Sequence, residues 1–277
     1  MQFSSLKLSS LGLMQGRLLP QSSLGYQAFP WGAWQEEFQL AADRGLGYLE
    51  WVLDLHDIPY NPILAETQRV EQVARKSGIA IRSLCADFVM EHEPFNYSFV
   101  IDIFQRLAPK LKVLGVTYVV LPFVDAKSLK SDRISIEDAS NLIADLSVML
   151  EGFGVKLSIE SDLGPEAFRD FIGQFPASKV GVNYDIGNSA ALGYSWRDEF
   201  DAYWDRINLI HIKDRTRAGG SVRLGTGDAE VVEIMRHVIG HDFQGPITLQ
   251  MFRDAEGVHE FDTQIDWLLR SLAEGEA

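Results

Sequence analysis

Short apolar runs alternate along the whole chain with segments whose apolar residues recur at helical spacing. The runs at 8–14, 47–53, 79–85, 117–122, 155–160, 180–185, 207–212 and 246–251 are mostly rich in Val, Ile and Leu and apolar on both faces. That pattern predicts parallel strands covered by helices rather than half-exposed antiparallel ones. Between them, 34–44, 62–77, 97–114, 136–153, 165–175, 196–204, 229–239 and 261–273 read as helices. The clearest carries Ile136, Ala139, Ile143, Leu146, Met149 and Leu150 at a 3.6-residue period. Gly45, Gly78, Gly115 and Gly154 each stand between a helical pattern and the next strand, where a left-handed C-cap is expected.

Eight strands alternating with eight helices predict an α/β fold, a closed (β/α)8 barrel spanning 1–277 as one domain. An open doubly wound sheet is the runner-up, but no Gly-x-Gly-x-x-Gly follows a strand. Two connections, 15–32 and 214–228, exceed what a barrel needs. Both follow strands, on the side where long loops cover ligands.

The strand ends carry the chemistry. Four of the apolar runs lead to Glu160, Asp185, His211 and Gln250, at intervals of 25, 26 and 39 residues. Each interval accommodates one loop, one helix and the next strand, so four side chains suited to a cation should gather at one end of one sheet. Two carboxylates, an imidazole and an amide carbonyl form a plausible shell for a divalent cation. Taken singly, each has a plainer role: an ion-paired carboxylate for Glu160, a turn cap for Asp185, a satisfied core histidine for His211. Strand alternation puts Lys213 on the face of His211, within reach of a substrate oxygen, unless it pairs with Asp214.

Composition narrows the partners. The chain has 277 residues, 46% of them hydrophobic, with 16 Phe, 8 Tyr and 6 Trp, enough for a large core. A formal net charge of −14 repels phosphate backbones and anionic membranes, so neither nucleic acid nor a membrane is an expected partner. Cys85 is the only cysteine, which excludes an intrachain disulfide and a cysteine-based zinc site; within an apolar run it reads as a buried, inert thiol. With no apolar leader and no stretch of about 20 apolar residues, a cytoplasmic location is expected. Arg17, Arg215 and Arg253 follow strands one, seven and eight and suit a phosphate or carboxylate on the substrate. Trp31, Trp34 and Trp51 serve either as an apolar wall against a sugar or as core packing.

Several motifs then resemble a known family. Met-Gln-Gly-Arg-Leu at 14–18, Cys-Ala-Asp at 85–87, Leu-Pro-Phe-Val-Asp at 121–125, Tyr-Asp-Ile-Gly-Asn at 184–188, His-Ile-Lys-Asp-Arg at 211–215 and Leu-Gly-Thr-Gly-Asp at 224–228 look like sugar-phosphate isomerases/epimerases of the xylose-isomerase-like TIM-barrel superfamily. The resemblance runs from about residue 11 to 270, with the motifs in the family's order. It implies one divalent metal ion, Mn²⁺ or Mg²⁺ ahead of Zn²⁺ or Co²⁺, held by Glu160, Asp185, His211 and Gln250. Glu160 and Lys213 are then the expected catalytic groups. Offsets within the related ketose 3-epimerases land on Glu166 and Arg217 as substrate contacts, and Asn188 stands where some relatives contact substrate through a histidine. Arg17, Arg215 and Arg253 complete the expected substrate-binding set. The implied substrate is small and polyhydroxylated, with or without a phosphate; a homo-oligomer stays open.

The chain departs from the family at Gln250, where many relatives carry a carboxylate. An amide carbonyl still binds a hard cation but cannot shuttle a proton near neutral pH. One acid–base group predicts single-base aldose–ketose isomerisation in preference to 3-epimerisation. Dehydration of a keto-polyol or keto-acid, and a non-catalytic sugar- or metal-binding barrel, are the alternatives. Asp254, Asp162, Glu50 and Asp87 are the nearby groups that could replace the missing carboxylate.

Overall fold

The computed structural model describes residues 6–274 except 93 and 132. In chain order the strands are β1 (Leu11–Met14), β2 (Tyr48–Val52), β3 (Ala80–Cys85), β4 (Tyr118–Phe123), β5 (Lys156–Ser161), β6 (Val180–Asp185), β7 (Ile207–Ile212), β8 (Asp214–Arg215), β9 (Ser221–Val222) and β10 (Ile247–Leu249). Eight of them, in the order β1-β10-β7-β6-β5-β4-β3-β2, form a closed parallel barrel. The short β8 and β9 pair antiparallel as a separate ribbon within the long loop after β7. The eight-strand barrel expected from the alternating pattern is the fold.

Differences from the expected elements have local causes. The first strand starts at Leu11, because Leu8–Ser10 forms a 3-10 turn. The helix expected over 62–77 breaks at Glu66, whose φ of −132° and ψ of 39° separate Pro62–Ala65 from Thr67–Ser77. Gly45, Gly78, Gly115 and Gly154 all have positive φ, as their places after helices require.

The core has two parts. A large cluster fills the layer between strands and helices, including Leu49, Trp51, Phe104, Leu121, Ile143, Ile159 and Leu268. A small one, Met14, Val52, Cys85, Val120 and Leu209, occupies the alternate strand positions. Those positions point into the barrel, where side chains from different strands stack in layers. Near its base, a Cβ on Gly12 would overlap the Tyr48 ring, whose hydroxyl lies 3.2 Å from Thr248 Oγ1. The upper layer is polar, and it is there that the strand ends converge.

Candidate metal centre

Parallel register brings the expected ligands level. Asp185 at the end of β6 is the register partner of His211 in β7, and Glu160 lies next to the end of β5. Gln250, one residue past β10, is tied in by its N–H to Ile212 O at 2.9 Å. Glu160, Asp185 and His211 are all buried, and one candidate ligand atom from each lies within 4.8 Å of the others. Gln250 is also buried, and its Oε1 has no hydrogen-bond partner among the described residues.

Glu160, Asp185 and His211 are each held by neighbours. The two oxygens of Asp185 divide their tasks. Oδ1 accepts from the backbone N–H of Asn188 at 2.8 Å, capping the helix Ile186–Leu192, and Oδ2 faces Lys213 Nζ at 3.4 Å. Asn188, expected as a substrate contact, lies inside this helix. Its Nδ2 donates to Glu160 Oε1 at 2.5 Å, and its Oδ1 accepts from Lys213 Nζ at 3.1 Å and Arg215 Nη1 at 2.7 Å. Asn183, two residues before Asp185 and on the same strand face, donates to Glu160 Oε2 at 2.7 Å and lies 3.1 Å from His211 Nδ1. Strand alternation could have found it.

Glu50 has the role that sequence reasoning missed. It is fully buried, with Oε1 2.8 Å from His211 Nε2 and Oε2 accepting from Ser83 Oγ at 2.7 Å. With Nε2 committed to Glu50, Nδ1 is the nitrogen turned toward Glu160, 3.9 Å from Oε2. A carboxylate behind the distal nitrogen fixes the ring and raises its basicity as a ligand. Burial alone would lower the His211 pKa, but Glu50, with further help from Glu160 and Asp185, raises it to about 9. Burial, reinforced by the charge on Asp185, raises Glu160 to about 7.

Above these residues opens a cavity of about 540 Å³, with Glu160, Asn188, Lys213, Arg215, Gln250 and Arg253 in its wall. Tyr26 and Gln27 from the loop after β1 also line it, as do Asp87, Asp125 and Asp254. Arg253 is buried and donates to Tyr26 O at 3.2 Å and Pro20 O at 2.9 Å, so it clamps that loop. Arg17 lies behind the wall, with Nη2 2.5 Å from Gln27 Oε1 and its guanidinium over the Tyr26 ring.

Three expected substrate contacts do not line this cavity: Arg17, buried behind its wall, and two that lie elsewhere. Glu166 is exposed on the helix Pro165–Ile172, beside Arg169 and Asp198 in an outer surface pocket. Arg217 is exposed and lines a different cavity of about 260 Å³ with Tyr194 and Trp196. The offsets carried over for these two assume loop lengths that this chain does not share, and the structure does not bring them to the main cavity. Trp34 and Trp51 are core residues packed against each other at 5.5 Å, and Trp51 Nε1 donates to Asn61 Oδ1.

The bland alternative for Lys213, a pair with Asp214, also gives way to a different arrangement. Asp214 is fully buried and accepts backbone N–H bonds from Gly225 and Gly227, both at 2.9 Å, and from Ala229 at 3.1 Å. This explains why a Leu-Gly-Thr-Gly-Asp segment accompanies His-Ile-Lys-Asp: a Cβ on Gly227 would overlap Asp214 Oδ1.

The model of the xylose isomerase-like TIM barrel family matches residues 38–271. The chain belongs to that family. Among solved structures, this xylose isomerase-like barrel is similar to the zinc-bound IolI protein, at 17% identity and a TM-score of 0.72 over 96% of this chain and 98% of the other. It is similar to a magnesium-bound xylose isomerase-like TIM barrel protein from Mycobacterium smegmatis, at 16% identity and 0.66 over 100% of both chains. It is similar also to the D-allulose 3-epimerase of Methylomonas sp. in complex with D-allulose, at 14% identity and 0.68 over 96% and 98%. At these identities the likeness is one of fold. No curated protein matches the chain by sequence. Among the described residues, no helix of this xylose isomerase-like barrel is long and apolar enough to cross a membrane.

Proposed function

We propose that this protein is a metal-dependent isomerase or epimerase that moves a proton next to the carbonyl of a small polyhydroxylated substrate. The observation that carries the reading is the buried convergence of Glu160, Asp185 and His211 beneath an open cavity. The donor set fits a divalent cation. Gln250 offers a buried carbonyl oxygen without a partner among the described residues, Asp185 Oδ2 is free of the helix cap and faces Lys213 Nζ at 3.4 Å, and His211 is aimed by Glu50. Oxygen-rich ligands with one imidazole favour Mn²⁺ or Mg²⁺, with Zn²⁺ and Co²⁺ competing through affinity. The structural neighbours include one with zinc and one with magnesium. A bound cation would polarise the substrate carbonyl and hold adjacent oxygens.

The chain's own groups supply the rest. Glu160, raised toward neutrality, takes the proton from the carbon beside the carbonyl. Lys213, held at 9% exposure by Asp185 and Asn188, stabilises negative charge developing on oxygen. Among the described residues Arg215 hydrogen-bonds only to neutral oxygens, so its charge remains for an anionic end of the substrate such as a phosphate, whereas Arg253 also answers the buried Glu37 carboxylate. The sequence argument for single-base isomerisation was that Gln250 leaves one acid–base group. With Asp87, Asp125 and Asp254 in the same cavity, that argument no longer ranks isomerisation above epimerisation.

The test is elemental analysis of the purified protein together with a panel of free and phosphorylated ketoses and aldoses. One equivalent of divalent metal and mass-conserving conversion of a panel sugar is the expected result. Product lighter by one water would make the enzyme a dehydratase instead, and no conversion of any sugar would leave a binding barrel.

A further inference from the structure

We propose that Asp87 is the second acid–base group of this site, exchanging a proton with the substrate from a different wall of the cavity than Glu160. The inference rests on the proton-transfer reading above and goes beyond it by naming the residue that does what Gln250 cannot.

Topology places it. Asp87 follows β3 by two residues, and in the barrel order only β4 separates β3 from the β5 of Glu160. The other expected ligands lie the opposite way round, on β6, β7 and just past β10. Asp87 therefore lies two strands round the barrel from Glu160, on the part of the wall that holds no expected ligand. Both carboxyl groups line the same cavity.

The Asp87 side chain is not consumed by the fold. It stands at the N-cap position of the short helix Phe88–Glu91, yet its carboxyl accepts no capping bond there. Oδ1 accepts from Cys85 Sγ at 3.1 Å, and Oδ2 is buried with no partner among the described residues. A buried, unpartnered carboxyl oxygen is costly and needs a reason. In a cavity that takes a polyol, that reason is a substrate C–H or O–H.

Its surroundings suit proton exchange near neutral pH. Burial raises its pKa to about 7, with the nearby charges of Glu91, Glu160 and Glu50 adding to the rise and the Cys85 hydrogen bond opposing it. Arg17, from the loop after β1, supplies the facing positive charge. The ideal acid–base group has a pKa near the working pH.

The step balances without an outside reactant. Glu160 as carboxylate takes the proton from the carbon beside the carbonyl, and the C–H electron pair moves into an enediolate. Asp87 as carboxylic acid returns a proton from its own wall, either to that carbon, inverting it, or to the neighbouring carbon while a proton passes from one enediol oxygen to the other. Glu160 ends protonated and Asp87 ionised, and exchange with water restores the pair.

The experiment uses the full-length protein loaded with Mn²⁺, in D₂O, with D-allulose, D-fructose and D-tagatose as probes. Deuterium at the carbons beside the carbonyl and product formation are followed by mass spectrometry and NMR. Asp87→Asn should keep full metal stoichiometry and still wash in deuterium through Glu160, while product formation falls by about 10²-fold or more. The decline of kcat/KM above pH 7, where Asp87 loses its proton, should disappear while the rise that reports Glu160 stays, and Asp87→Glu should recover part of the rate. Product formation by Asp87→Asn within about threefold of wild type, or an unchanged pH profile, overturns the assignment while leaving the proposed function standing. Wild-type protein that neither exchanges deuterium nor converts any probe overturns the proposed function, and this proposal with it.

Discussion

The Nε2 atom of His211 lies 2.8 Å from Oε1 of Glu50, and neither side chain has any solvent exposure. A charged group this deep stays only if it is paired, and the pair joins β2 to β7 across the inside of the barrel. Glu50 thus sets the direction in which His211 presents its other nitrogen.

Glu50→Gln keeps the shape but removes the charge. We expect divalent-cation affinity to fall by about 10- to 100-fold, as for other residues that support a metal-bound histidine. Competition against a chelating dye measures it. Affinity equal to wild type would mean that the pair is structural only.

Glu160→Gln should lower turnover by more than about 10²-fold, the usual contribution of a general base. Gln250→Glu should retain the metal, since a carboxylate replaces an amide oxygen at the same position. Equilibrium dialysis of both variants, beside their rates, separates ligand loss from base loss. A Gln250→Glu protein that binds no metal would remove Gln250 from the ligand set.

Protons and the cation should compete. In the metal-free protein Glu160 titrates at about 7 and His211 at about 9, both above their ordinary values. Below those values the folded protein holds protons that the unfolded chain would release, so metal-free stability should fall as pH rises through 7 and then 9. Cation binding needs the same sites unprotonated, so the stabilisation it gives should grow over the same range. Melting curves from pH 6 to 9, with and without Mn²⁺, should diverge. Parallel curves would count against a cation at these residues.

Asp214→Ala leaves three backbone N–H groups of the 223–229 loop without their acceptor. Each lost partner costs on the order of 1 kcal/mol, more where the group stays buried. Faster hydrogen exchange at Gly225, Gly227 and Ala229 is the specific signature, and Asp214→Asn should restore only part of the protection. Unchanged exchange at all three would show that the loop is held by other contacts.

The barrel was legible in the chain because period-2 and period-3.6 apolar patterns report burial directly, and strand ends inherit their side of the fold from chain direction. That sufficed to bring Glu160, Asp185, His211 and Gln250 together on one end. It did not suffice for Glu50, a carboxylate within an apolar run, whose partner is 161 residues away and visible only once β2 and β7 face each other. Glu166 and Arg217 show the opposite failure. Their expected roles rested on fixed offsets through loops, and loop paths are set by local contacts such as the bond from Arg217 N to Asp228 Oδ2 at 2.6 Å. Strand alternation could have found Asn183; Asp87 needed the cavity.

The cage that Asp214 builds from backbone amides has an evolutionary consequence. Its hold on the loop passes through main-chain groups and two glycines, so the side chains of Arg223 and Thr226 are under no obligation to it. Arg223 is thereby left to pair with the buried Glu260 carboxylate, and a change of side chain at exposed Thr226 leaves the path of the loop where one carboxylate has fixed it.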